Sequence, residues 1–77
     1  MNDARRKEIE EIKLHLESMK ERLEAVQSEE QDYYDNMPES FQNGEKGEKA
    51  QEAADELQEA FDAIEEAISH CNTATGG

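Results

Sequence analysis

Twenty-one carboxylates and two histidines are the groups in this 77-residue chain that could hold a metal ion or move protons. Helical bundles bind paired iron or manganese ions with inward glutamates and Glu-x-x-His motifs, in which histidine follows glutamate by three positions. Here Glu11 precedes His15 by four positions and Glu66 precedes His70 by four, so neither pair has that spacing. We therefore expect these carboxylates to lie on the surface, and we expect no metal site and no cofactor.

Cys71 is the single cysteine, and His70 is its neighbour in the chain. Adjacent residues project from a helix about 100° apart, and no second pair completes a zinc site. Cys71 also continues an apolar helical row, which is typical of a small buried hydrophobic residue. The sequence contains no glycine-rich phosphate loop and no Ser/His/Asp set. The sequence therefore predicts no catalytic residue and no enzyme.

Six acidic residues of the second half of the chain recur at alternating spacings of four and three, which places them on one face of a helix. They are Glu48, Glu52, Asp55, Glu59, Asp62 and Glu66. Like charges four residues apart are unfavourable by about 0.2–0.5 kcal/mol per pair, so helix stability does not explain the row. Two interpretations remain open. The face is either solubilising, or it imitates a nucleic-acid backbone and binds a basic groove, since its charges repeat about every 5.4 Å.

The net charge of −13 limits the possible partners. Residues 32–77 hold twelve acidic and two basic residues, a balance of −10. This balance argues against direct binding of nucleic acid and of anionic membranes, and it favours a basic protein surface. No apolar run approaches the roughly 20 residues of a membrane span. The lone cysteine is typical of a reducing compartment, and we expect the cytoplasm.

Two long helices must position these residues. The first is predicted at 3–34, with Asp3 as its N-cap, and the second at 48–71, with Glu45 as the alternative start. Pro38 separates them within a loop at 35–47, and 72–77 is predicted to be a flexible tail. The apolar row of the first helix is Ile9, Ile12, Leu16, Met19, Leu23, Val26 and Tyr33. The row of the second is Ala50, Ala54, Leu57, Phe61, Ile64, Ile68 and Cys71, flanked by Ala53, Ala60 and Ala67.

These rows predict an all-α protein, a single domain (1–77) folded as a coiled-coil-like antiparallel two-helix hairpin. Apolar surface left over after the hairpin closes predicts that two copies pair as a dimeric four-helix bundle. A longer antiparallel coiled-coil dimer is the alternative. The residues expected to support self-association are Leu16, Met19, Leu23, Leu57, Phe61, Ile64 and Ile68. In the loop, Met37, Pro38 and Phe41 either cover the end of the helix pair or form a partner-binding tip.

The loop from Asp35 to Gln42 reads D-N-M-P-E-S-F-Q. It resembles the D-N-[MI]-P-E-x-x-Q segment that joins two acidic helices in small proteins of bacteriophages and mobile elements of bacteria. The resemblance extends over the loop and both flanking helices, and it implies an accessory gene product acting in a bacterial host cell. Inhibitors of host defence are common in that setting, but this family carries no established activity. The resemblance therefore transfers no functional residue.

The sequence thus favours a small acidic protein-interaction module without enzymatic activity. In the first hypothesis, the acidic face binds and inhibits a nucleic-acid-handling protein of host defence, such as a nuclease. In the second, the chain is a self-associating structural or assembly module, and the acidic face only keeps it soluble.

Overall fold

The computed structural model describes residues 1–76, and in this range the chain is helical with no strand. Helix α1 spans Asp3–Asp35, the short helix α2 spans Glu39–Gln42, and helix α3 spans Glu45–Ala74. The all-α class is therefore confirmed. The molecule is elongated, with principal extents of 58 × 14 × 14 Å. None of the helices within the described range is long and apolar enough to cross a membrane.

Helices α1 and α3 pack against each other along their length. The Lys13 ammonium donates a hydrogen bond to Asn72 Oδ1 at 2.9 Å, near the end distant from α2. Further along, Lys20 Nζ lies 5.6 Å from the centre of the Phe61 ring. Residue numbers thus rise along α1 as they fall along α3, so the two helices run in opposite directions where they touch.

The face that α1 presents to α3 differs from the predicted one. Most of its half-buried positions keep a spacing of four and three, and Gln31 is half-buried beside them; the regular positions are Ile9, Lys13, Leu16, Lys20, Leu23, Gln27, Glu30 and Tyr34. Ile12, Met19, Val26 and Tyr33, which the predicted row also placed against α3, are 45–54% exposed and are therefore not among the half-buried positions. On a helix, the residues three and four positions after Ile9 lie on opposite sides of it, so Ile12 and Lys13 begin two different rows. Helix α1 turns the row that contains the lysines toward α3.

The lysines can occupy this face because their chains are amphipathic. Only 20% of the Lys13 side chain is exposed, yet its ammonium reaches both Asn72 and the Glu10 carboxylate, at 3.1 Å from the latter. Lys20 covers the face of the Phe61 ring. Their methylene stems therefore fill the space between the helices, while their charges lie at its edge.

The most deeply buried residues of the helix pair lie at the end next to α2, where α3 has small residues. Ala50 and Ala54 are 3% and 1% exposed, and Gly47 is also buried. A Cβ atom built on Gly47 would lie 2.5 Å from the Cα and carbonyl carbon of Gln42, so only glycine fits there. The Gln42 side-chain amide in turn donates to the Tyr34 carbonyl at 3.0 Å, which satisfies part of the C-terminal end of α1.

The observed ends of the helices differ from several of the predicted boundaries. The N-cap of α1 is Asn2, whose Oδ1 accepts from the Arg5 amide at 2.9 Å, so Asp3 is instead the first helical residue. Helix α3 begins at Glu45, the earlier of the two expected starts, and continues to Ala74, beyond the expected end at Cys71. The Thr75 hydroxyl donates to the carbonyls of Cys71 and Asn72. Gly76 follows with φ +80°, the left-handed conformation that commonly ends a helix.

Candidate interaction surfaces

The acidic face lies on α3, on the side turned away from α1. All six of its residues are exposed, and none is among the half-buried positions of α3. They are Glu48, Glu52, Asp55, Glu59, Asp62 and Glu66. With a rise of 1.5 Å per residue the row extends over roughly 27 Å. The predicted face therefore exists as a continuous and accessible line of carboxylates.

No lysine or arginine of the chain forms an ion pair with this face in residues 1–76. The three ion pairs found there are Arg6–Asp3, Lys13–Glu10 and Lys49–Glu45. Two carboxylates of the face instead accept hydrogen bonds from neutral glutamine side chains of α3. The Gln51 side chain donates to Asp55 at 3.0 Å, and Gln58 donates to Asp62 at 3.1 Å. These bonds fix two carboxylates without removing any negative charge.

An open depression adjoins the α2 end of the acidic face. Its volume is about 430 Å³, and Glu48, Glu52 and Asp55 of the acidic face are among the residues that line it. The other lining residues are Tyr34, Gln42, Gly47, Gln51 and Glu56. An aromatic ring beside several carboxylates is a suitable environment for a lysine or arginine side chain.

The loop tip is only partly packed. Met37 is half-buried, whereas Pro38 and Phe41 are exposed. Phe41 is 51% exposed, so its side chain covers the end of the helix pair at most in part. Its ring lies beneath Lys46, with 5.7 Å between Nζ and the ring centre. The end is closed instead by the contact between Gln42 and Gly47, which sequence spacing alone did not reveal.

A second surface, which we call the apolar flank, runs along one side of the helix pair. It consists of the exposed row Ile12, Met19, Val26 and Tyr33 on α1 and the row Ala53, Ala60 and Ala67 on α3. Between them lies an open groove of about 350 Å³ lined by Met19, Arg22, Leu23, Val26 and Ile64. The sequence predicted leftover apolar surface after closure of the helix pair, with Met19 among the residues for self-association, whereas Ile12, Val26 and Tyr33 were expected in the contact between the two helices.

Most of the residues expected to support self-association pack within the chain. Six of them, namely Leu16, Leu23, Leu57, Phe61, Ile64 and Ile68, are half-buried on the facing sides of α1 and α3. Met19 is the exception, because its side chain is exposed in the groove of the apolar flank.

The groups that could carry chemistry are scattered. His15 and His70 are exposed, and Cys71 is a half-buried free thiol. Among residues 1–76, no group of three or more His, Cys, Asp or Glu side chains is arranged to hold a metal ion.

Comparisons of the chain with protein-family models, with curated proteins and with solved structures give no match.

Proposed function

We propose that this protein is a non-enzymatic binding module whose acidic face occupies a basic groove on a nucleic-acid-handling protein. The observation that carries the proposal is the row of six exposed carboxylates on α3, which have no basic partner in residues 1–76. A surface that keeps unpaired charges of one sign along roughly 27 Å attracts a partner of the opposite sign. Nucleic-acid-binding proteins present such basic surfaces.

The depression beside Tyr34 supports this proposal because it offers a defined position for one basic side chain. An arginine of the partner could stack on the tyrosine ring while its guanidinium forms bonds with Glu52 or Asp55. The rest of the acidic face would then follow the groove, with one carboxylate per helical turn or closer. In this arrangement the protein competes with the partner's own nucleic acid.

The biological setting of the proposal comes from the loop between Asp35 and Gln42. Its resemblance to proteins of bacteriophages and mobile elements supports a role in the cytoplasm of a bacterial host. The proposed partner is a nuclease or another nucleic-acid-binding protein of host defence, and the proposed effect is inhibition.

The experiment compares two variants that lose the same charge. The first carries Glu52→Gln, Glu59→Gln and Glu66→Gln on the acidic face. The matched control carries Glu8→Gln and Glu17→Gln with Glu21→Gln, all exposed on α1. Tagged protein is used to capture partners from a bacterial lysate, the captured protein is identified, and the dissociation constant of the complex is measured at low and at high salt.

We expect the acidic-face variant to bind more weakly and the control to bind as the wild type does. Exposed ion pairs contribute about 0.2–1 kcal/mol each, so losing three weakens binding by roughly 3-fold to 150-fold. Binding of the wild type should also weaken as salt is raised. Equal affinities of the two variants, or binding that is insensitive to salt, would contradict the proposal.

The second candidate function is a self-associating assembly module, in which the chain is an antiparallel helical hairpin and two hairpins form a four-helix bundle. The observation that favours it is the exposed apolar flank, since Met19 and Val26 line a groove that residues 1–76 leave open. Under this alternative the acidic face serves only solubility. Neutralising it would then leave function intact, while changes in apolar residues would abolish it.

A further inference from the structure

We propose that a second copy of this chain covers the apolar flank, with α1 of each copy packed on α3 of the other. This proposal rests on the self-association considered above and deepens it. The contact between two copies is assigned to the apolar flank, which residues 1–76 leave open. It is not assigned to the residues that join α1 to α3 within one chain.

The two sides of the helix pair differ in polarity, so the apolar flank is distinct from the side opposite to it. On the opposite side, shallow grooves between α1 and α3 are lined mainly by polar groups, among them Lys20, Glu24, Gln58, Glu65 and Asn72. The Lys13 ammonium also forms its hydrogen bond with Asn72 on that side. The lysines of the α1 face are thus drawn away from the flank, which keeps it apolar.

The exposed area of the single chain matches what a dimer would need to bury. The chain has a mass of 8.8 kDa and exposes 5718 Å². A compact monomer of this mass exposes roughly 4,800 Å². The excess is about 900 Å², and a standard interface buries about 800 Å² on each partner. Within residues 1–76 only Ala50 and Ala54 form a fully buried apolar core, so a second layer of helices adds the burial that one pair lacks.

The shape of the flank indicates that the occupant is an identical chain. Its α1 row is bulky and its α3 row consists of alanines, and both follow the long axis of the molecule. A two-fold axis parallel to the helices sets the Met19 row of one copy on the Ala60 and Ala67 row of the other, and the reverse contact follows by symmetry. Pairing α1 with α1 would instead crowd bulky residues together and leave a void between the alanines.

The charges of the chain are compatible with this arrangement. The acidic face points away from the flank, and Arg22 is the charged residue that lines the groove. Two copies would therefore bury little charge, and their two acidic faces would remain exposed on the outside of the dimer.

The first measurement uses the unmodified protein. Sedimentation equilibrium over a range of concentrations should give a mass of about twice 8.8 kDa, and the thermal midpoint should rise with protein concentration, as it does for an obligate or tight dimer. A monomer at all concentrations, with a midpoint independent of concentration, would overturn both this inference and the self-association on which it rests.

The second measurement locates the surface. Met19→Glu with Val26→Glu places two charges on the flank, while Leu14→Glu with Ala25→Glu places two charges at exposed positions of α1 away from it. We expect the flank variant to raise the dimer dissociation constant at least roughly 30-fold and the control to leave it unchanged. If the wild type is a dimer and the flank variant remains one, the surface is wrong although self-association holds.

The third measurement tests the pairing with mild changes that preserve the fold. Two differently tagged chains are mixed, both with Cys71→Ser, one carrying Met19→Cys and the other Ala67→Cys. Oxidation should join the two different chains in preference to two copies of the Met19→Cys chain. Preferential joining of Met19→Cys chains to each other would overturn the α1-on-α3 arrangement.

Discussion

Replacing Gly47 with alanine tests whether the close approach of α2 to α3 stabilises the fold. Gly47 lies in the first turn of α3 and is buried. An added Cβ would lie 2.5 Å from both the Cα and the carbonyl carbon of Gln42, and closer still to its carbonyl oxygen. All three are backbone atoms, so the overlap cannot be relieved by rotating a side chain. The start of α3 must move away from α2.

Two opposing effects decide the magnitude of this change. Alanine favours a helix over glycine by about 1 kcal/mol. Overpacking of a buried position costs about 1–3 kcal/mol, and contact with three backbone atoms places Gly47→Ala at the upper end. The net loss in the free energy of unfolding is about 1–2 kcal/mol. For a domain of this size that corresponds to a thermal midpoint lower by roughly 4–16 °C.

The assay is thermal and urea unfolding, followed by circular dichroism at one fixed protein concentration. Gly44→Ser is the control, because a Cβ at Gly44 would lie 3.5 Å and 3.7 Å from the nearest atoms, an ordinary contact. Gly44 is the N-cap of α3 and makes no side-chain cap bond, so serine should stabilise by a few tenths of a kcal/mol. A Gly47→Ala protein as stable as the wild type, or more stable, would refute the reasoning.

Two further predictions concern contacts between the helices. Gln42→Ala should lower the free energy of unfolding by about 1 kcal/mol, because it removes the amide that donates to the Tyr34 carbonyl; urea unfolding that matches the wild type would contradict this. Lys20→Ala should cost about 1 kcal/mol, whereas Lys20→Met should retain stability, because the stem of Lys20 packs against Phe61. Equal losses in the two Lys20 variants would show that its charge is what matters.

The helical class and the row that α3 buries could be read from the sequence because they depend on local periodicity. Ala50, Ala54 and Leu57 recur at helical spacing, the neighbouring row of Ala53, Ala60 and Ala67 has only small side chains, and the first row lies on the buried side of α3. The exposed acidic face follows from the same periodicity, since it occupies the opposite side of that helix. Pro38 likewise required α1 to end before it.

The sequence of α1 did not decide its orientation. Rows that begin at Ile12 and at Lys13 flank the Ile9 row on opposite sides, and hydrophobicity favours the Ile12 row. The structure buries the stems of Lys13 and Lys20 instead, because their ammonium groups can reach Asn72 and the Phe61 ring across the gap. Such contacts join residues far apart in the chain and depend on the relative position of both helices.

Composition and periodicity therefore determined by themselves that this protein forms two long helices and that α3 carries an exposed line of carboxylates. Only the tertiary structure decided which side of α1 faces α3, that Gly47 is held against Gln42, and that Met19 and Val26 remain uncovered. The physical reason is that helix periodicity fixes the angles between side chains of one helix, whereas the rotation of one helix against another is fixed by contacts across the space between them.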